Sequence, residues 1–190
     1  MRPEDRVRKG VVYVGILAGD TFVPLGTGFM TFGEVDKAVF PFVVTARHVL
    51  SSVKESATTK IGVRMNLNSG GSQFIPVPLQ RWKAHPEDAC DLMMAQIAPD
   101  PSAYDYQMTP CDLASIKEAQ TAFPPAIGRE VFIAGLYTSH HGAVKNIPIL
   151  RNGHIAAMPE EPVRTSVGYT DGYLVEMRSI AGLSAAHRCL

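Results

Sequence analysis

Three stretches of the sequence carry residue types suited to acid–base or nucleophilic chemistry. The first is Val43-Val44-Thr45-Ala46-Arg47-His48-Val49-Leu50, one hairpin after Gly26-Thr27-Gly28-Phe29-Met30. Residues 38–44 are mostly apolar and read as a core strand that must end near Ala46. His48 would then stand on a rigid support and face a cleft, where a general base belongs, because an imidazole titrates near neutral pH. The second is Asp91, directly ahead of the apolar run Leu92-Met93-Met94. An acid so placed sits half-buried and can accept a hydrogen bond from an imidazole N–H, fixing the tautomer and stabilising the imidazolium. Asp88 competes for that role. The third is Ser184, two residues after Gly182. The glycine permits a tight turn that presents backbone N–H groups beside the hydroxyl, where an oxyanion would develop. Each has a plainer reading: a solvated histidine at a strand end, a turn aspartate, and a serine in an ordinary turn.

The elements that must position these residues are short strands. Runs rich in Val, Ile and Phe, bounded by Gly, Asp, Asn and Ser, cover 11–17, 28–32, 38–46, 60–66, 73–79 and 91–97. A second group covers 128–137, 147–158 and 173–180, with a turn at Arg151-Asn152-Gly153-His154-Ile155. Between the groups lie Pro99, Pro101, Pro110, Pro124 and Pro125, which cannot donate to a ladder, so a connector with one short helix near 112–120 is expected. The division is residues 1–110 as a lobe carrying His48 and Asp91, 111–127 as connector, and 128–190 as a lobe carrying Ser184. Many short strands without intervening amphipathic helices indicate an all-β sandwich or barrel and exclude a doubly wound fold.

Composition narrows the function. The 190 residues hold 18 basic and 18 acidic side chains, a formal net charge of zero. Nucleic acid and anionic membranes are therefore not expected partners, since both require a basic excess. No apolar run reaches the roughly 18 residues of a membrane span, and the N-terminus has no small-residue cleavage site of a signal peptide. Three cysteines (Cys90, Cys111, Cys189) are an odd, scattered set, which fits free thiols in the cytoplasm and not a disulfide scaffold. Gly26-Thr27-Gly28 is not a dinucleotide loop, because Thr31 stands where the third glycine would be. His140 with His141, or His85 with Cys90, lack zinc-ligand spacing, so neither a metal nor any other cofactor is expected. Cys90, Met93, Met94, Phe40 and Phe42 read as core.

Taken together, His48, Asp91 and Ser184 in that chain order, with GTGF ahead of TARHV, make the sequence similar to the chymotrypsin/trypsin-like serine peptidases. The resemblance runs from about residue 10 to 184 and includes GREVFIAGLY and the 151–155 turn. It implies two six-stranded-type antiparallel β-barrels, the second incomplete. It also implies His48 as general base, Asp91 as its orienting acid and Ser184 as nucleophile, with the oxyanion hole formed by the N–H groups of Gly182 and Ser184. The substrate would be a peptide or protein, cleaved through an acyl-enzyme, and no cofactor would be needed. The lack of paired cysteines resembles the family's bacterial, disulfide-free members.

The pattern breaks after the serine. The family continues with glycine, a small residue and proline, then two strands, whereas here Ala185-Ala186-His187-Arg188-Cys189-Leu190 follows. Those strands with their loops would take roughly 20–30 residues. A remnant or peptide-binding module on the same fold is therefore the alternative to an active endopeptidase. The codons of Ala186 to Leu190, read one frame over, permit Ala-Pro-Val-Leu, which suggests a frame slip just after Ser184. Sequencing the gene beyond these codons tests this: another frame should continue with proline and two glycine-punctuated strands. Closure of all three frames would refute the slip.

Overall fold

The apolar runs fold as strands whose side chains alternate between a packed and an open face, as a pleated backbone requires. The structure, a computed structural model, describes residues 3–56, 58–110, 124–137, 140–165, 168–170 and 172–177. A helix, α1 (Pro3–Gly10), leads into β1 (Val11–Ala18). Pro3 has the φ suited to a first helical turn, and Arg8 and Lys9 in the last turn favour the negative end of the helix dipole. The 15-residue β2 (Thr21–Val35) and β3 (Ala38–Ala46) are joined through Asp36 and Lys37, both left-handed at φ 50° and 66°. Then come a single turn α2 (Arg47–Leu50), β4 (Thr59–Asn66), β5 (Ser72–Pro76), β6 (Lys83–Ala84), β7 (Leu92–Gln96) and β8 (Thr109–Pro110). A second set comprises β9 (Glu130–Leu136), β10 (Pro148–Ala157), β11 (Val163–Thr165), β12 (Gly168–Thr170) and β13 (Leu174–Met177). No helix among the described residues is long and apolar enough to cross a membrane.

The first eight strands form one sheet in the order β5-β4-β1-β2-β3-β7-β6, with β8 parallel beside β2. One face gathers Val12, Val14, Met30, Val43, Ile61, Val63 and Ala95 into a single core, so the sheet bends around its own inner face. The expected β-barrels are not found. Among the described residues no sheet closes: the first ends at β5 and β6, and the second is an open β13-β10-β9 sheet with a separate β11–β12 hairpin. A proline explains the first opening. The run expected as a strand over 73–79 stops at Pro76; the Val77 N–H still donates to the Ile61 carbonyl at 2.8 Å, and Pro78 has no N–H to carry the ladder further. The chain turns instead through a 3-10 turn at Leu79–Arg81, and Val77 and Trp82 enter the core. The Trp82 indole N–H donates to the Val77 carbonyl at 3.0 Å.

Other expectations change too. The supposed turn at 151–155 is continuous β10, paired in register with β9 from Pro148↔Leu136 to His154↔Glu130. Met93 packs on the core, but Met94 and Phe40 are exposed, because successive strand residues face opposite ways and Phe40 lies beyond the β7 pairing that starts at Phe42. Cys90 is half-buried and forms no disulfide. The helix expected at 112–120 lies outside the described residues, as does the chain from 178 on.

The glycine of GTGF has a steric reason. A Cβ on Gly28 would lie 2.9 Å from a Val14 methyl and 3.0 Å from the Val44 carbonyl, so β1, β2 and β3 approach as closely as they do only over glycine. Beside it, Thr27 is 3 % exposed and joins the two sheets. Its hydroxyl accepts from the Leu136 N–H at 3.0 Å and donates to the Leu136 carbonyl at 3.4 Å, while its own carbonyl accepts from the Thr45 hydroxyl at 2.9 Å. Replacing Thr27 with valine keeps the shape and strands the buried Leu136 N–H, which costs about 1–3 kcal/mol. Chemical denaturation should show that loss for Thr27→Val, with most of it restored in Thr27→Ser.

Candidate active site

The β3–β7 ladder places the candidate pair. Its last registers are Thr45↔Met93 and Ala46↔Leu92, so the next step outward sets residue 47 against residue 91. There the Arg47 N–H donates to the Asp91 carbonyl at 3.0 Å, and β3 gives way to α2. Val49 and Leu50 are buried and pin this turn to the core. Ala46 at the N-cap has no side-chain oxygen to satisfy the first amides of the turn. Asp91 does so from the neighbouring strand.

One Asp91 carboxylate oxygen, Oδ1, accepts from the His48 backbone N–H at 2.9 Å, and Oδ2 lies 2.5 Å from His48 Nδ1. The carboxylate thus holds both the backbone and the ring of the same residue. Asp91 is 11 % exposed at its side chain and His48 is 46 % exposed, so a nearly buried acid supports a ring open to solvent. With Nδ1–H donated to a carboxylate, Nε2 of the neutral ring carries the lone pair, which is the tautomer a base needs. Asp88 does not share this contact. Its carboxylate, fully exposed, lies 3.2 Å from Arg47 Nη1, and its carbonyl accepts from Arg47 Nη2 at 2.6 Å. That brace between Arg47 and the loop ahead of Asp91 was legible only as opposite charge, and the sequence reading missed it.

Ser184 and Gly182, the expected nucleophile and oxyanion donor, lie outside the described residues. Among the described residues no group of three or more His, Cys, Asp or Glu is placed to hold a metal ion.

No protein-family model and no curated protein matches this sequence. A solved structure does: the crystal structure of the MamO protease domain from Magnetospirillum magneticum in its apo form. It shares 14 % identity and superposes with a TM-score of 0.58 over 95 % of this chain and 77 % of that one. The chain therefore resembles that protease domain in fold. At this identity the likeness concerns the fold, and the residues of the candidate site must be argued from their own geometry.

Asp91→Ala should destabilise the protein by about 1–3 kcal/mol, because it strands the His48 N–H in a partly buried place. That corresponds to roughly 2–4 °C in melting temperature per kcal/mol for a chain of this size. Asp88→Ala, which changes only an exposed carboxylate, should melt with the wild type.

Proposed function

We propose that this chain is a serine endopeptidase whose base is His48, oriented by Asp91, and whose nucleophile is Ser184. The observation that carries the reading is the two-oxygen grip of Asp91 on the His48 amide and Nδ1. A carboxylate used only to cap a turn needs one oxygen on one amide; the second oxygen here fixes the ring. In the reaction, Ser184 Oγ attacks the peptide carbonyl while His48 Nε2 takes its proton and then passes it to the leaving amine. Water, activated by the same nitrogen, releases the acyl group from Ser184. Asp91 stays ionised throughout and stabilises the imidazolium. The N–H groups of Gly182 and Ser184 would hold the oxyanion.

The lobes proposed to carry these groups are residues 1–110 and 128–190, joined by 111–127. Cys90 outside any disulfide fits a reducing compartment such as the cytoplasm. The substrate is a peptide or protein, in keeping with the protease fold.

Labelling with a fluorophosphonate separates this reading from an inactive, peptide-binding remnant. Wild-type protein should label at Ser184, and Ser184→Ala and His48→Ala should not. A folded wild type that takes up no label would establish the remnant. Where peptide hydrolysis is measurable, Asp91→Asn should lower kcat/KM by about four orders of magnitude, because the amide favours the wrong tautomer.

A further inference from the structure

A cavity of about 340 Å³ lies away from His48 and Asp91 and shares no residue with them. That volume is at the lower end of ligand pockets, about 300–1,000 Å³. Val12, Met65, Ile147 and Pro148 make part of its lining apolar, and Tyr106 lines it too. Arg8 and Lys9 from the end of α1 line it, and Lys145 lines it from the segment between β9 and β10. The cavity therefore bridges residues of the first sheet and the loop that precedes β10.

The charges are unbalanced. Asp105, the carboxylate in the lining, pairs with Lys9 at 2.5 Å. Among the described residues neither Arg8 nor Lys145 forms an ion pair. The back wall is already built. Asn66 Oδ1 accepts from the Asn146 N–H at 2.7 Å, and Asn66 Nδ2 donates to the Asn146 carbonyl at 3.1 Å. A ligand here would spend none of its affinity on ordering that wall.

We propose that this cavity binds a carboxylate carried on an apolar body, with Arg8 and Lys145 taking the charge and the apolar lining residues taking the apolar group. A forked guanidinium suits a carboxylate. Such a ligand arises either as a free small acid or as the C-terminus of a peptide ending in an apolar residue.

Isothermal titration of the full chain with N-acetyl-leucine, N-acetyl-leucinamide and N-acetyl-Ala-Ala-Leu tests the proposal. Both acids should bind and the amide should not. Arg8→Gln with Lys145→Gln should weaken binding at least tenfold, and His48→Ala should leave it unchanged. Raising sodium chloride from about 50 to 500 mM should weaken binding of the acids in the wild type. Tighter binding of the tripeptide than of N-acetyl-leucine assigns the site to peptide ends, and equal binding assigns it to small acids. Equal binding of acid and amide, indifference to the double substitution, or loss of binding in His48→Ala would overturn the proposal. The last outcome would place the acid at the candidate active site instead. None of these readouts depends on peptidase activity.

Discussion

Thr27 fixes where the second sheet can sit. β9 approaches β1 and β2 without a backbone ladder to either, so its position depends on contacts from side chains. Leu136, fully buried, offers an N–H and a carbonyl that water cannot reach, and the Thr27 hydroxyl serves both. A buried polar group left alone would cost more than the bond itself is worth, which makes this contact a specification of register. The Thr27 carbonyl in turn receives the Thr45 hydroxyl, three residues ahead of His48 on the same chain. A continuous polar line therefore runs from β9 through β2 to β3 and ends at α2.

Arg64 reinforces the same seam at higher cost. It is 6 % exposed and, among the described residues, forms no ion pair with a carboxylate. Burial pushes its pKa down, an effect that the Tyr13 hydroxyl partly opposes, while burial pushes Tyr13 up to about 12 with Arg64 pulling the other way. Both groups keep their ordinary charge states, and the guanidinium is stabilised by neutral dipoles and ring faces. Its Nε donates to Asn146 Oδ1 at 2.7 Å, Nη2 donates to the His141 and Gly142 carbonyls, and the Tyr13 and Phe22 rings lie 5.2 and 4.8 Å from its Cζ. The Tyr13 hydroxyl donates to the Tyr137 carbonyl at 2.7 Å. Only a planar, multi-donor cation can meet such divergent acceptors at once, so lysine is not equivalent here. The loop from 140 to 146 thus takes its shape from a residue of β4.

These seams show what was readable in the sequence. β1, β3 and β9 followed from apolar runs bounded by turn residues, because burial of one face is a local, periodic property. His48 and Asp91 were legible as a pair because a strand end and a strand start are local features too. The mutual bonding of GTGF and TARH through Thr27 and Thr45 was not legible, since a threonine in an apolar strand is spelled the same whether it faces another sheet or none. Arg64 was invisible for the opposite reason: an arginine in an alternating strand reads as a solvent-facing residue. α1 was missed because eight charged-rich residues carry no apolar stripe, and its evidence lay in Pro3 and in the basic last turn. The first barrel failed at Pro78, where the apolar composition of a strand persisted after its hydrogen-bonding capacity had ended.

The open sheet does not loosen the candidate site. His48 and Asp91 extend from β3 and β7, and β3 lies inside the sheet with β2 on its other side. The opening lies between β5 and β6, and Val77 and Trp82 of the segment that connects them are buried in the core. Three local features hold the segment around His48: the β3–β7 register, the burial of Val49 and Leu50, and the Arg47 bond to the Asp88 carbonyl on the loop that delivers Asp91. All three are local to the pair. Barrel closure would add hydrogen bonds between β5 and β6 and none of these. The geometry of the His48–Asp91 pair is therefore separable, in this chain, from the completeness of the sheet that carries it.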